Sequence, residues 1–155
     1  MNPNENLIHN FYTCFKNKDF KGMQECYADN ATFNDSVFKN LNAREVRGMW
    51  AMLISGSKDI RIEFSHINAG ENTGTAEWVA YYTFSATGNK VINRINASFV
   101  FKDGKIAEHR DSFNFYKWAR QALGLPGLLL GWTPLIKNKI QKKAANNLQA
   151  YLAAH

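Results

Sequence analysis

A chain of 155 residues fits one domain that buries roughly two thirds of its unfolded surface, and its hydrophobic fraction of 45% and charged fraction of 21% are ordinary globular values. The net charge of +6 is unevenly placed: residues 1–111 hold 13 Lys/Arg against 13 Asp/Glu, whereas residues 112–155 hold six Lys/Arg and no acid. That distribution excludes a basic whole-domain surface, and with it a simple nucleic-acid-binding role. No stretch approaches the ~18 apolar residues of a spanning helix, and the polar start Met1–Asn6 carries no apolar signal stretch, so the expected location is cytoplasmic.

Leu7, Ile8, Phe11, Tyr12 and Phe15 recur at helical spacing and predict an amphipathic helix. Asp19 opens a second, short helix with Phe20, Met23 and Tyr27 on one face. Ala31–Asn34 reads as a short strand, and Asp35-Ser36 as a chain reversal. Asn42 with Glu45 three residues on is a capping-box spacing; Val46, Met49, Trp50 and Leu53 supply that helix's apolar stripe, and Gly56 its stop. Strand alternation follows at Ile60–Phe64, at Trp78–Phe84, at Val91–Phe101 after Gly88-Asn89, and at Ile106–Tyr116 after Asp103-Gly104. Three long strands joined by tight turns make an antiparallel meander, and helices followed by a sheet define an α+β fold. Beyond Tyr116, Trp118–Leu123 continues as helix and Gly124–Gly131 is apolar and rich in Gly and Pro. Thr133 caps a last helix with Pro134 at its first position; Ile136, Ile140, Ala144, Leu148 and Leu152 line one side of it. Cys14 and Cys26 fall within helical patterns and read as reduced, small apolar core residues.

The residues with chemistry concentrate at the end of the meander. Side chains two apart on a strand share a face, so His109 and Asp111 lie beside Ala107, Phe113 and Phe115. Two titratable groups on an apolar face are costly to bury unless paired or wet. Either they line a pocket, where His109 acts as a base oriented by a carboxylate and Asp111 is poised by partial desolvation, or Asp111 pairs with Arg94 or Arg110 and His109 is a surface imidazole. Asp35, taken alone, is a turn residue. Tyr12 carries a hydroxyl beside the first helix's apolar stripe. The four histidines, His9, His66, His109 and His155, lack metal-ligand spacing; no glycine-rich phosphate loop occurs, nor a Gly-x-Ser-x-Gly elbow. No metal or cofactor is therefore expected.

The segment Phe20–Asp35, FKGMQECYADNATFND, and the segment Gly104–Phe113, GKIAEHRDSF, resemble the nuclear transport factor 2-like superfamily, especially its SnoaL-like and ketosteroid-isomerase-like branches. The resemblance covers about residues 5–116 and implies a cone of N-terminal helices packed on a strongly curved antiparallel sheet, with a deep pocket and usually a dimer. It also implies that residues 117–155 are an extra C-terminal helical tail on a domain of residues 1–116. Asp35 matches the proton-shuttling base of ketosteroid isomerases, whereas their oxyanion tyrosine falls at Phe11, one position before Tyr12, and their protonated aspartate near Ala97. Asp111 matches one catalytic aspartate of limonene-epoxide hydrolases, whose arginine and second aspartate fall at Trp78 and Ala80. SnoaL-like cyclases use an acid and a histidine from this last strand, the positions of His109 and Asp111.

Two functions follow as expectations. One is an acid–base isomerase or cyclase for an apolar carbonyl-containing or polycyclic small molecule, with Asp35, His109, Asp111 and Tyr12 as the acting groups and Trp50, Trp78, Tyr82 and Phe99 as dry walls. The other is a non-catalytic domain binding a small molecule or a protein. Val79, Tyr81, Ile92 and Val100 give the outer sheet face enough apolar area to predict a homodimer there. For the basic last helix, packing on its own domain or dimer mate is the preferred reading, and docking on an anionic membrane surface the alternative.

Overall fold

The computed structural model describes all 155 residues. Helix α1 (Pro3–Lys16) starts where the Asn2 side chain accepts the Glu5 N–H and Pro3 sets the first helical φ; it buries Ile8, Phe11, Tyr12 and Phe15. Asp19 accepts the Gly22 N–H to open α2 (Phe20–Glu25). Strand β1 (Tyr27–Asn34) follows, then α3 (Ala43–Gly56), whose Asn42–Glu45 capping box is formed in both directions. The rest is β2 (Arg61–Ala69), β3 (Thr73–Phe84), β4 (Asn89–Lys102), β5 (Lys105–Ser112), α4 (Phe115–Leu123), α5 (Leu125–Leu130) and α6 (Pro134–Ala154).

The strands form one five-stranded sheet in the order β1-β5-β4-β3-β2. β2 to β5 are an antiparallel meander, and β1 joins its β5 edge as the single parallel pair. The β4–β5 reversal uses Asp103 and Gly104, both at positive φ (53° and 77°), the requirement of a tight hairpin turn. Register shifts in β2 between Ser65 and Asn68, where His66 has φ 54°, and between Val100 and Phe101 of β4 bend the sheet. The concave face receives α1, α2 and α3, and 26 buried apolar residues fill the space between.

Three boundaries differ from the sequence expectation. The second helix ends at Glu25, so Tyr27 is not on its face but begins β1. The last strand stops at Ser112 rather than Tyr116, because the Asn114 side chain accepts the Lys117 N–H and starts α4. The strand read from Trp78 begins earlier, at Thr73; within the Gly/Pro-rich segment, Leu125–Leu130 is helical. Neither cysteine is bridged; Cys26 is buried, which lifts its thiol to about 11 and keeps it protonated.

Helix α4 packs on β4, and α6 packs on α3. Phe115, Trp118, Ala119 and Ala122 of α4 form a second cluster with Val91, against which Val37, Tyr82, Phe113, Ile136 and Ile140 pack. Gln121 hydrogen-bonds both backbone groups of Ile92, capping the stretch of β4 that β5 does not reach. Further along, Leu148 and Leu152 of α6 press on α3 where Gly48 has no side chain in the way, and Gln141 donates to the Ser36 carbonyl at 2.9 Å.

Candidate active site

The β5 alternation turns His109 and Asp111 inward, at 2% and 5% exposure. Opposite them on β4 stand Phe99 and Ala97, and Phe33 of β1 flanks His109 on the other side. The imidazole is enclosed by rings: Phe99 lies 4.4 Å away, Phe33 4.9 Å, Phe11 5.7 Å, and the stacked Tyr27 and Trp50 at 6.0 and 6.4 Å.

Inside this cage the polar atoms form one directed chain. Trp50 Nε1, which can only donate, gives its proton to Tyr27 Oη at 2.9 Å. Tyr27 Oη lies 2.7 Å from His109 Nδ1, and His109 Nε2 lies 2.9 Å from Asp111 Oδ1. The consistent assignment is that Tyr27 donates to Nδ1 and Nε2–H donates to the Asp111 carboxylate, which fixes a neutral imidazole in one tautomer. The acid pairs with the histidine, not with Arg94 or Arg110, which are exposed. Both ring nitrogens are thereby engaged, and only one oxygen of Asp111 is used by the pair.

Asp35 closes the loop after β1. Its Oδ1 accepts the backbone N–H groups of Val37 and Phe38 at 2.7 and 2.6 Å. Those bonds favour the ionised form, yet burial outweighs them and, with the Asp111 charge adding to it, raises the Asp35 carboxyl from 3.8 to about 6. The same Asp111 charge acts on Tyr12, whose hydroxyl is raised well above 10, chiefly by burial. The Asp111 charge thus acts on both Asp35 and Tyr12.

Two donors in that interior have no partner. Tyr12 Oη and Trp78 Nε1 are buried without a hydrogen bond, and their rings stand 6.1 Å apart. An unsatisfied buried donor costs about 1–3 kcal/mol; Ser57 Oγ, at the C-terminal end of α3, is likewise buried without a partner. Of the expected wall residues, Trp50, Trp78 and Phe99 are buried in the principal core with Tyr12. Tyr82 sits at the boundary with the second cluster, its hydroxyl accepting Trp118 Nε1–H at 2.7 Å. Two concavities, of about 590 and 410 Å3, lie on the outer face of the sheet; residues such as Thr32, Ser98 and Arg110 line the first, and Asn96, Ser98 and Ser112 the second.

Sequence reasoning missed Tyr27, the link between Trp50 and His109. The signal was present: extending the two-residue alternation of Ala31 and Phe33 back along the chain reaches Tyr27, but Phe20 and Met23 place it equally well on a helix face.

Helices folded over the concave side of a bent meander, with acids and a histidine facing inward, define a nuclear transport factor 2-like α+β protein. Residues 8–109 match the SnoaL-like domain, and the chain belongs to that family. Solved structures agree on the fold. An NTF2-like protein from Burkholderia pseudomallei K96243 superposes with a TM-score of 0.68 at 13% identity, covering 78% of this chain and 98% of its own. IdmH from Streptomyces antibioticus, proposed as a polyketide cyclase, gives 0.64 at 18% identity over 81% of this chain and 100% of its own. TerC, co-crystallised with polyporic acid, gives 0.62 at 15% identity over 73% and 92%. No curated protein sequence matches.

Proposed function

We propose that this protein is a cofactor-independent acid–base catalyst, an isomerase or cyclase, for an apolar carbonyl-containing or polycyclic small molecule. The observation that carries the reading is the pair of unpartnered donors, Tyr12 Oη and Trp78 Nε1, together with the raised carboxyl of Asp35, since the Asp111 charge acts on both Asp35 and Tyr12. A carbonyl oxygen between those donors would satisfy both, and they would bind the oxygen more strongly as it gains charge in an enolate. Asp35 removes the proton alpha to that carbonyl and returns it at another carbon, or the enolate closes a ring on a second carbonyl, whose oxygen then takes the proton back from Asp35. A carboxyl near 6 suits this work, being mostly ionised at neutral pH while still a competent acid once protonated. Asp111 holds negative charge across the site, and its second oxygen can exchange a proton with substrate. His109, occupied at both nitrogens, acts as a positioning residue for Asp111, held in turn by Tyr27 and Trp50. Trp50, Trp78, Tyr82 and Phe99 supply apolar walls, and substrate admission requires the α4–α6 layer to yield around Val37 and Phe113. The co-crystallised polyporic acid of TerC and the cyclase proposal for IdmH support this class of ligand.

The test is proton exchange rather than a guessed substrate. In deuterated buffer, a panel of fused-ring ketones is followed by NMR for exchange of the alpha protons. The wild-type chain should catalyse exchange with a rate that rises through about pH 6, and Asp35→Asn should lose it. Exchange that survives Asp35→Asn unchanged overturns the reading.

The engagement of both His109 nitrogens favours a second reading, a non-catalytic binding domain. In that case ketones or quinones raise the melting temperature of wild-type and Asp35→Asn protein equally, with no exchange in either. In both readings we propose a homodimer through the outer face carrying Val79, Tyr81, Val100 and the half-exposed Ile92; a monomer in sedimentation at tens of micromolar would remove it.

A further inference from the structure

Helix α5 buries the wrong residues for a helix that ends its role inside its own fold. Gly127 and the following Gly131 are buried, because only a bare Cα lets the segment lie on the α4 backbone at Ala119. Leu125, Leu128, Leu129 and Leu130 consequently face solvent, and Trp132 and Leu135 extend the patch, at 65%, 46%, 59%, 46%, 71% and 71% exposure respectively. A soluble surface seldom leaves so many large apolar side chains contiguous. The arrangement is held in place, since Tyr116 Oη donates to the Leu128 carbonyl and the Trp132 indole to the Leu129 carbonyl.

The neighbouring charge has one sign. At 100° per residue, Leu135, Lys139, Lys142 and Lys143 of α6 share a stripe, all four exposed, while Ile136, Ile140 and Leu148 take the side that packs inward. Arg120 of α4 lies over the Tyr116 ring beside α5. Residues 112–155 contain no acid to neutralise any of them.

We propose that this face, α5 together with the Leu135–Lys143 stripe of α6, docks on an anionic membrane surface, with the leucines and Trp132 entering the interface and the lysines on lipid headgroups. A second copy of the chain fits worse: two such faces brought together would oppose like charges with no carboxylate between them. The inference is independent of the chemistry at Asp35 and Asp111.

Vesicle co-sedimentation of the full chain decides it, comparing phosphatidylcholine alone with phosphatidylcholine carrying about 30% phosphatidylserine, in about 0.05 M and about 0.5 M salt. Binding should need phosphatidylserine, weaken in high salt, and shift the Trp132 emission to the blue. Lys139→Gln/Lys142→Gln/Lys143→Gln should lower the partition constant by about a hundredfold. Leu129→Ser/Trp132→Ser should lower it as well, and the lysine variant should melt as wild type because its three altered side chains are exposed and unpaired. Absence of binding at low salt overturns the proposal. So does equal binding to both vesicle types, or a dimer that Leu129→Ser/Trp132→Ser dissociates in a chain that ignores vesicles.

Discussion

In the aromatic interior, Tyr12, Phe99 and Trp50 are buried to 2% exposure or less, and the polar atoms of Tyr27, His109 and Asp111 are joined in a chain. In the α5–α6 layer, leucines stand in water and lysines gather without acids. Both regions depart from the ordinary partition of polar and apolar groups, in opposite senses. Burying charge is tolerable only with partners, and in the interior His109 and Asp111 have them, while the neutral donors of Tyr12 and Trp78 do not. In the outer layer the apolar side chains of Leu125–Leu130 stay exposed beside unpaired lysines. The two regions should therefore respond differently to substitution: the interior through stability, the outer layer through association.

The largest effect is expected at the buried pair. Asp111→Ala leaves His109 Nε2–H without an acceptor and should cost about 3–5 kcal/mol in urea unfolding, whereas Asp111→Asn retains an acceptor oxygen and should cost less. An alanine variant as stable as wild type would mean that the chain of hydrogen bonds is not what holds the interior.

Leu148→Ala addresses the seam between the regions, where α6 meets α3. Leu148 is 1% exposed, and its truncation should cost about 2–4 kcal/mol. A value near zero would show that the last helix is not integral to the fold.

Asp35 gives a pH signature. Its native carboxyl binds a proton more tightly than the unfolded one, about 6 against 3.8. The native state is therefore favoured below about pH 4, and this contribution is lost as pH rises from about 4 to about 6. Asp35→Asn keeps an oxygen for the Val37 and Phe38 N–H groups and escapes that loss. It should be more stable than wild type at pH 8 by up to about 3 kcal/mol, with the gap closing by pH 4. Melting curves that stay parallel across that range would contradict the burial of this carboxyl.

Tyr12→Phe should be the mildest interior change, neutral or stabilising by about 1 kcal/mol, because it removes a donor that has no partner. In the same variant, the thermal stabilisation by ketone ligands should fall. A clear loss of stability instead would mean that the hydroxyl is satisfied within the fold.

Much of the frame was legible in the residues. The Asn42–Glu45 spacing is a cap in the structure, Asp103-Gly104 is a turn at positive φ, and the inward alternation of His109 and Asp111 follows from the strand period. Tyr27 was not, because Phe20, Met23 and Tyr27 fit a helix face as well as Tyr27, Ala31 and Phe33 fit a strand, and local spacing does not arbitrate between them. The end of β5 at Ser112 was hidden for a similar reason: the alternating Phe113 and Phe115 continue a strand pattern, and only the Asn114 cap breaks it.

The sequence by itself determined the helices-then-meander order, the α+β class, the inward pair on the last strand and the one-signed charge of the tail. These depend on period, capping chemistry and composition, all of them local or additive. The tertiary structure alone decided that His109 spends both nitrogens on Tyr27 and Asp111, that Tyr12 and Trp78 go unpartnered, and that α5 turns its glycines in and its leucines out. Each of those is a meeting of residues distant in the chain, or a choice between two faces of one short helix. Only the packing of α4 against α5, and of β5 between β1 and β4, makes that choice.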